Sequence, residues 1–257
     1  MTFKVDLNSD LGESFGAWKM GRDADVLTFV SSANLACGFH AGDPCVMRDS
    51  VAAAKKAGAA VGAHPGYPDL AGFGRRNMAC TPDELYAYTL YQIGALRAFC
   101  GAQGIRLQHV KPHGAMYNSA AKKIEEARAS AQAVKDAGGL ILLGLAGSEF
   151  QTAAEEAGVP FAAEAFADRG YMPDGTLVPR SRPGAFVRDA DQAARRVIRM
   201  VKEGTVEAAD GTVISLHPQS ICLHGDSPTA VQMAQTLRTR LEEAGIRIAP
   251  LSEIVSG

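Results

Sequence analysis

Short apolar runs recur along the chain, each followed by a polar loop rich in Gly and His and then by a stretch of helical periodicity. The runs fall at residues 4–8, 34–39, 59–64, 108–112, 140–145, 161–166 and 220–224, with 247–250 as a candidate eighth. Most are continuous rather than alternating, the pattern of parallel strands covered on both faces. The stretches between them carry helix punctuation. Asp43-Pro44 predicts an N-cap with proline at the first helical position, and Gly58 stands just past the end. Thr81-Pro82-Asp83-Glu84 predicts a capping box opening a helix that runs to about Ala102. Further helices are predicted over 120–137, 149–157, 190–203 and 229–244, and a small hairpin over 205–216 around Asp210-Gly211. Strand–helix units in series imply crossover connections and a parallel sheet, closed as a barrel or open and doubly wound. Two segments break the alternation, 66–80 and 168–187, and loops of this length are commonly functional.

Length and composition narrow the class. A chain of 257 residues suits one (β/α)-barrel domain over 1–257, and no linker or low-complexity tract divides it. The net charge of −2 with no Lys/Arg run argues against nucleic acid and anionic membranes as partners. No apolar run reaches the roughly 18 residues of a membrane span, and no signal-peptide pattern opens the chain, so a cytoplasmic protein is expected. Five scattered cysteines without a CxxC pair predict neither a disulfide framework nor a structural zinc site.

The polar residues fall where the predicted strands end. Asn8, Asp10 and Glu13 follow the first; His40 and Asp43 the second; His64 ends the third; Lys111 and His113 end the fourth. Glu164 lies in the sixth with Asp168 and Arg169 just beyond, and His224 and Asp226 close the last. Strands of a parallel barrel point one way, so these residues converge on one face, where barrel enzymes carry their active sites. Four of the six histidines share this placement. Asp10, His40 and His64 offer a carboxylate and two imidazoles, a set suited to a divalent metal with an open position. They serve equally as a metal-free acid/base network, because no HxH or HExxH spacing singles out an ion. Lys111 is a candidate for the positive group at a developing oxyanion or for a carboxylate anchor. Arg169, Arg180 and Arg182 on the long loop are candidate anion clamps, with solvated loop arginines the plain alternative. Neither GxxxxGK[ST] nor GxGxxG occurs, so a nucleotide would be held by another device or by a partner chain.

Five strings, in order along nearly the whole chain, carry a resemblance: Asp6-Leu7-Asn8-Ser9-Asp10-Leu11-Gly12-Glu13, Cys37-Gly38-Phe39-His40-Ala41-Gly42-Asp43, Gly62-Ala63-His64-Pro65-Gly66, Val110-Lys111-Pro112-His113-Gly114 and Cys222-Leu223-His224-Gly225-Asp226. They resemble the signatures of the LamB/YcsF (lactam-utilisation) family. The resemblance implies a distorted, TIM-like (β/α) barrel of seven parallel strands, akin to the deacetylase barrels. It also implies ATP-dependent opening of 5-oxoproline (pyroglutamate) to L-glutamate together with partner subunits B and C; whether ATP is bound with or by those partners stays open. For such a reaction Asp10, His40 and His64 would position or activate water or substrate. Lys111, His113 and Arg169 would face carboxylate and phosphate oxygens, and His224 and Asp226 would complete a proton relay. Asn8, Glu164 and Asp168 join Arg169 and Asp226 as candidate substrate-binding groups. Two rival readings use the same residues: a metal-dependent amidohydrolase or deacetylase needing neither ATP nor partners, and a ligand-binding module without chemistry. Self-association of the chain is compatible with each.

Overall fold

Every barrel strand pairs in parallel with its neighbours, and β1 (Phe3–Leu11) closes the ring. The computed structural model describes residues 3–223 and 230–255. From β1 the order runs through β2 (Ser32–Ala36), β3 (Ala60–His64), β4 (Leu107–Val110), β5 (Ile141–Leu145), β6 (Phe161–Phe166) and β9 (Ser220–Cys222), and β9 returns to β1. Seven strands thus make a closed, distorted barrel. β10 (Ile246–Ile248) is a strand, as expected, but it stays outside the ring. It pairs with Phe3–Val5 of β1, while β9 takes Asp6–Asn8. Between β6 and β9 lies the hairpin β7 (Thr205–Glu207) and β8 (Val213–Ser215), turning at Asp210-Gly211.

Helices sheathe the barrel: α1 (Asp23–Val26), α2 (Pro44–Ala57), α3 (Pro82–Ala102), α4 (Gly114–Ala120), α5 (Ile124–Asp136), α6 (Glu149–Ala157), α7 (Ala190–Glu203) and α8 (Ala230–Glu243). Asp43 caps α2 by accepting from the Cys45 and Val46 amides, and Gly58 ends it at φ 73°. The Thr81/Glu84 capping box opens α3 with both hydrogen bonds made. Val5, Leu7, Leu35, Val61, Val110 and Leu142 belong to one buried apolar cluster with residues of these helices.

The barrel interior is different. Asp6, Asn8 and Asp10 occupy alternate positions of β1, as the two-residue strand period requires of one face, and their side chains bond across the barrel. Strand 4–8 therefore runs on to Leu11, and Asp10 is a strand residue rather than a loop residue: its polarity marks the inner face, not the strand's end. The run 34–39 ends instead at Ala36, because the chain turns at Gly38 with φ 97°. The helix expected over 120–137 is α5, which starts at Ile124, and α4 precedes it as a separate helix that the periodicity does not predict. The Ala121 carbonyl, which would continue α4, accepts from the Glu149 amide at the start of α6, a tertiary contact invisible to periodicity. All five cysteines are free, and among the described residues no helix is long and apolar enough to cross a membrane.

Candidate active site

The C-terminal strand ends bring three of the expected histidines together. His64 is the last residue of β3, His113 precedes α4 just after β4, and His40 reaches them from the loop after β2. All three are buried. His40 lies flat on His113, ring centroids 3.7 Å apart and planes within 1°, and both rings meet His64 edge-on. The Nδ1 of His64 is 2.7 Å from the Lys111 carbonyl and Nε2 of His113 is 2.8 Å from the Phe73 carbonyl. A carbonyl can only accept, so each of these nitrogens carries the proton. The remaining nitrogens, His64 Nε2 and His113 Nδ1, face one another at 2.9 Å.

Glu13 completes the cluster. Its Oε1 lies 3.4 Å from His40 Nε2 and 3.5 Å from His113 Nδ1, with no hydrogen-bond partner, and neither ring nitrogen of His40 has one. Burial pushes the Glu13 carboxyl up. Burial and the neighbouring histidines hold His40 and His113 well below the usual histidine value, so both are neutral at pH 7. The donor set that lies together is Glu13, His40, His64 and His113. The carboxylate differs from the expected one: Asp10 meets His64 Nε2 with Oδ2 at 3.4 Å, while its Oδ1 is taken by Lys111 and Asn34. Glu13, on the turn after Gly12 at φ 70°, reaches the rings instead. A second acid three residues after Asp10 was the available signal in the sequence.

The loop 66–80 supports the cluster from outside the strands. Phe73 is the one non-glycine residue at positive φ (55°) among those described, and this conformation turns its carbonyl onto His113. At Gly74, φ 61°, a Cβ would meet His40 Cβ at 2.8 Å and His113 Cδ2 at 2.9 Å, so only glycine fits.

Lys111 lines the cavity and is also tied into the barrel interior. Its Nζ donates to Asp10 Oδ1 and Glu164 Oε1, both at 2.9 Å, with Cys222 Sγ at 3.2 Å and Asn8 Oδ1 at 3.3 Å. Burial works against the ammonium, but the Asp10 and Glu164 carboxylates outweigh it and hold its pKa well above the ordinary lysine value. Glu164 also accepts from Asn8 Nδ2 and the Tyr117 hydroxyl, and Asn34 joins Asn8 and Asp10 to His109. Asn8 and Glu164 thus sit behind the site, orienting Lys111, rather than on the wall that a ligand would touch.

That wall encloses a cavity of about 380 Å³, within the range of small-molecule sites. Asp10, Glu13, His64, Lys111, His113 and Tyr117 line it on the barrel side. Arg75, Lys122, Arg169 and Arg180 line its other parts and make it cationic; Arg75 and Lys122 were not among the expected site residues. Arg169 is partly committed to the long loop, donating to the Ala185 and Val178 carbonyls, and burial and the Arg180 charge lower its pKa. Asp168 and His40 do not line the cavity, and Arg182 is exposed away from it. His224 and Asp226 lie outside the described residues.

The chain belongs to the LamB/YcsF family, whose model matches residues 5–256. It is 55% identical over 253 residues to the 5-oxoprolinase A subunit of Pyrococcus furiosus, covering 98% of this chain and 99% of that one. The identity to the 5-oxoprolinase A subunit of Bacillus subtilis is 54%, over 98% of each. Among solved structures, a lactam utilization protein from Thermus thermophilus superposes with TM-score 0.92 at 51% identity, over 96% of this chain and 99% of that one. A T48 deacetylase matches with TM-score 0.50 at 13% identity over 98% and 90% of the chains, a likeness of fold alone. The deacetylase-like barrel implied by the sequence motifs is the fold found.

Proposed function

We propose that this chain is the A subunit of a 5-oxoprolinase, a cytoplasmic component that opens the lactam of 5-oxoproline to L-glutamate with ATP hydrolysis, alongside subunits B and C. The observation that carries the reading is identity above one half along essentially the full length of relatives bearing that name. The cavity's chemistry agrees with it. An unstrained lactam is a poor electrophile, and phosphorylating its amide oxygen makes a good one for water to attack. In this reading Asp10, held by Lys111 and Asn34 with Oδ2 toward His64, acts as the general base for that water. Arg75, Arg169, Arg180 and Lys122 offer positive charge to the substrate carboxylate and to a phosphoryl group. This chain carries no phosphate-loop motif, so ATP would be held by another device or by a partner subunit.

The test is glutamate release from 5-oxoproline by the purified chain, with and without ATP and with and without subunits B and C. Turnover should require ATP and both partners, and Asp10→Asn should lower it at least about 100-fold, the scale of general-base loss. Full turnover by Asp10→Asn would remove Asp10 from the chemistry. The buried Glu13–histidine cluster favours one rival, a metal-dependent amidohydrolase acting alone. Chelator-sensitive release by the lone chain without ATP would establish that rival instead.

A further inference from the structure

We propose that Glu13, His64, His113 and His40 form a binding site for one divalent transition-metal ion of the zinc type. The inference stands on geometry and does not depend on which lactam or amide the cavity takes. Backbone carbonyls of Lys111 and Phe73 fix the outer nitrogens of His64 and His113 as donors. Two inner lone pairs are left pointing at each other across 2.9 Å, an arrangement that repels unless a cation lies between or beside them. An added proton on His64 Nε2 would relieve that one pair. It would leave both ring nitrogens of His40 and Oε1 of Glu13 buried without partners, each an uncompensated loss of hydration. A single metal ion takes one donor from each of the four groups at once and leaves, of these atoms, only one His40 ring nitrogen without a partner.

The dimensions agree. Ligands about 2.0–2.1 Å from a tetrahedral zinc stand roughly 3.3 Å apart. Here the separations are 2.9 Å between His64 and His113, 3.5 Å between His113 and Glu13, and 3.4 Å between Glu13 and His40. A carbonyl on the far nitrogen is the support that metal-binding histidines commonly have, setting tautomer and ring angle. Three imidazoles and a carboxylate select zinc, cobalt or nickel over magnesium and calcium. Glu13, His64 and His113 also line the cavity, so any fifth ligand would approach the ion from that side. One ring must move on loading: stacked flat on His113, His40 cannot aim its lone pair at the point His113 addresses, so it tilts out of the stack.

The experiment uses the full chain made without a polyhistidine tag, stripped with chelator and titrated with zinc chloride. One zinc per chain should bind with Kd below about 1 µM, the regime of protein zinc sites. Cobalt(II) in its place should give the visible bands of a four- or five-coordinate site. Glu13→Gln and His113→Gln, checked for folding by circular dichroism, should each weaken binding at least about 100-fold. Lys122→Gln, on the cavity but outside the cluster, should bind as the parent chain does. The proposal falls if the folded parent chain takes up less than about a tenth of an equivalent at 100 µM zinc, or if both cluster variants bind as it does. Should the variants fail to fold, 15N-histidine spectra of the parent chain decide: zinc must shift the His64 and His113 inner nitrogens and leave His217 alone. Unchanged cluster signals would overturn the proposal.

Discussion

Replacing Lys111 by Met removes one buried positive charge from between two carboxylates and keeps most of its volume. Each 2.9 Å ion pair is worth about 6 kcal/mol of gross attraction at an effective dielectric of 20, so two are lost. Against that stands the recovered desolvation of an ammonium only 2% exposed. Glu164 keeps its bonds from Asn8 and Tyr117, and Asp10 keeps Asn34, which softens the loss. The net expectation is destabilisation of about 3–5 kcal/mol, the usual cost of stranding a buried charge. Urea denaturation at pH 7 followed by circular dichroism measures it. Adding Glu164→Gln to Lys111→Met should recover at least about 1.5 kcal/mol, since one stranded carboxylate is then neutral. A single-variant loss under about 1 kcal/mol, with no coupling to Glu164, would refute the picture of Lys111 as the pin of the barrel interior.

Gly74→Ala should cost about 1–3 kcal/mol, because alanine is strained at φ 61° and its Cβ would press on His40 and His113. It should weaken zinc uptake in the same titration, and unaltered stability and uptake would contradict the cradle described for that loop. Burial pushes the Asp6 carboxyl from its ordinary 3.8 up to about 6, against hydrogen bonds from Ser220, Ser32 and Ser31. The folded state therefore binds this proton more tightly than the unfolded chain. Its contribution is full below about pH 3.8 and lost as pH rises through 6, a change of about 3 kcal/mol. Asp6→Asn should flatten that part of the stability–pH curve between pH 4 and 7; identical curves for the two proteins would show Asp6 titrating normally.

Much of this was legible in the sequence because it depends on local chemistry. The Asp43 and Thr81 caps, the Asp210-Gly211 hairpin and the crowding of His40, His64 and His113 at one face all follow from turn residues and strand period. What stayed hidden depends on distance across the barrel. Asn8, Asp10 and Glu164 read as loop-side or ligand-facing polar groups, yet Asn8 bonds to Glu164, 156 positions away, and their other partners include Lys111, Asn34 and Tyr117. Whether Asp10 or Glu13 meets the imidazoles is decided by a turn at Gly12 and by a competing lysine, neither of which spacing reveals. The break between α4 and α5 has the same origin, a contact from α6 that no local pattern encodes.

A barrel lined by hydrogen-bonded side chains differs from a hydrocarbon-filled one in how it can change. A hydrocarbon layer tolerates exchanges of similar volume, because dispersion contacts are interchangeable. Asn34 has no such latitude: its amide donates to Asn8 and Asp10 while its oxygen lies 2.7 Å from His109 Nε2, and Gly62 leaves the room that this ring occupies. One altered member leaves several buried partners unsatisfied, so accepted changes inside the barrel must come as matched sets. Drift is thereby pushed to the helical sheath and the outer loops. A redesign that seeks a new substrate on this scaffold does better to vary the Arg75, Lys122 and Arg180 side of the cavity than the lining behind it.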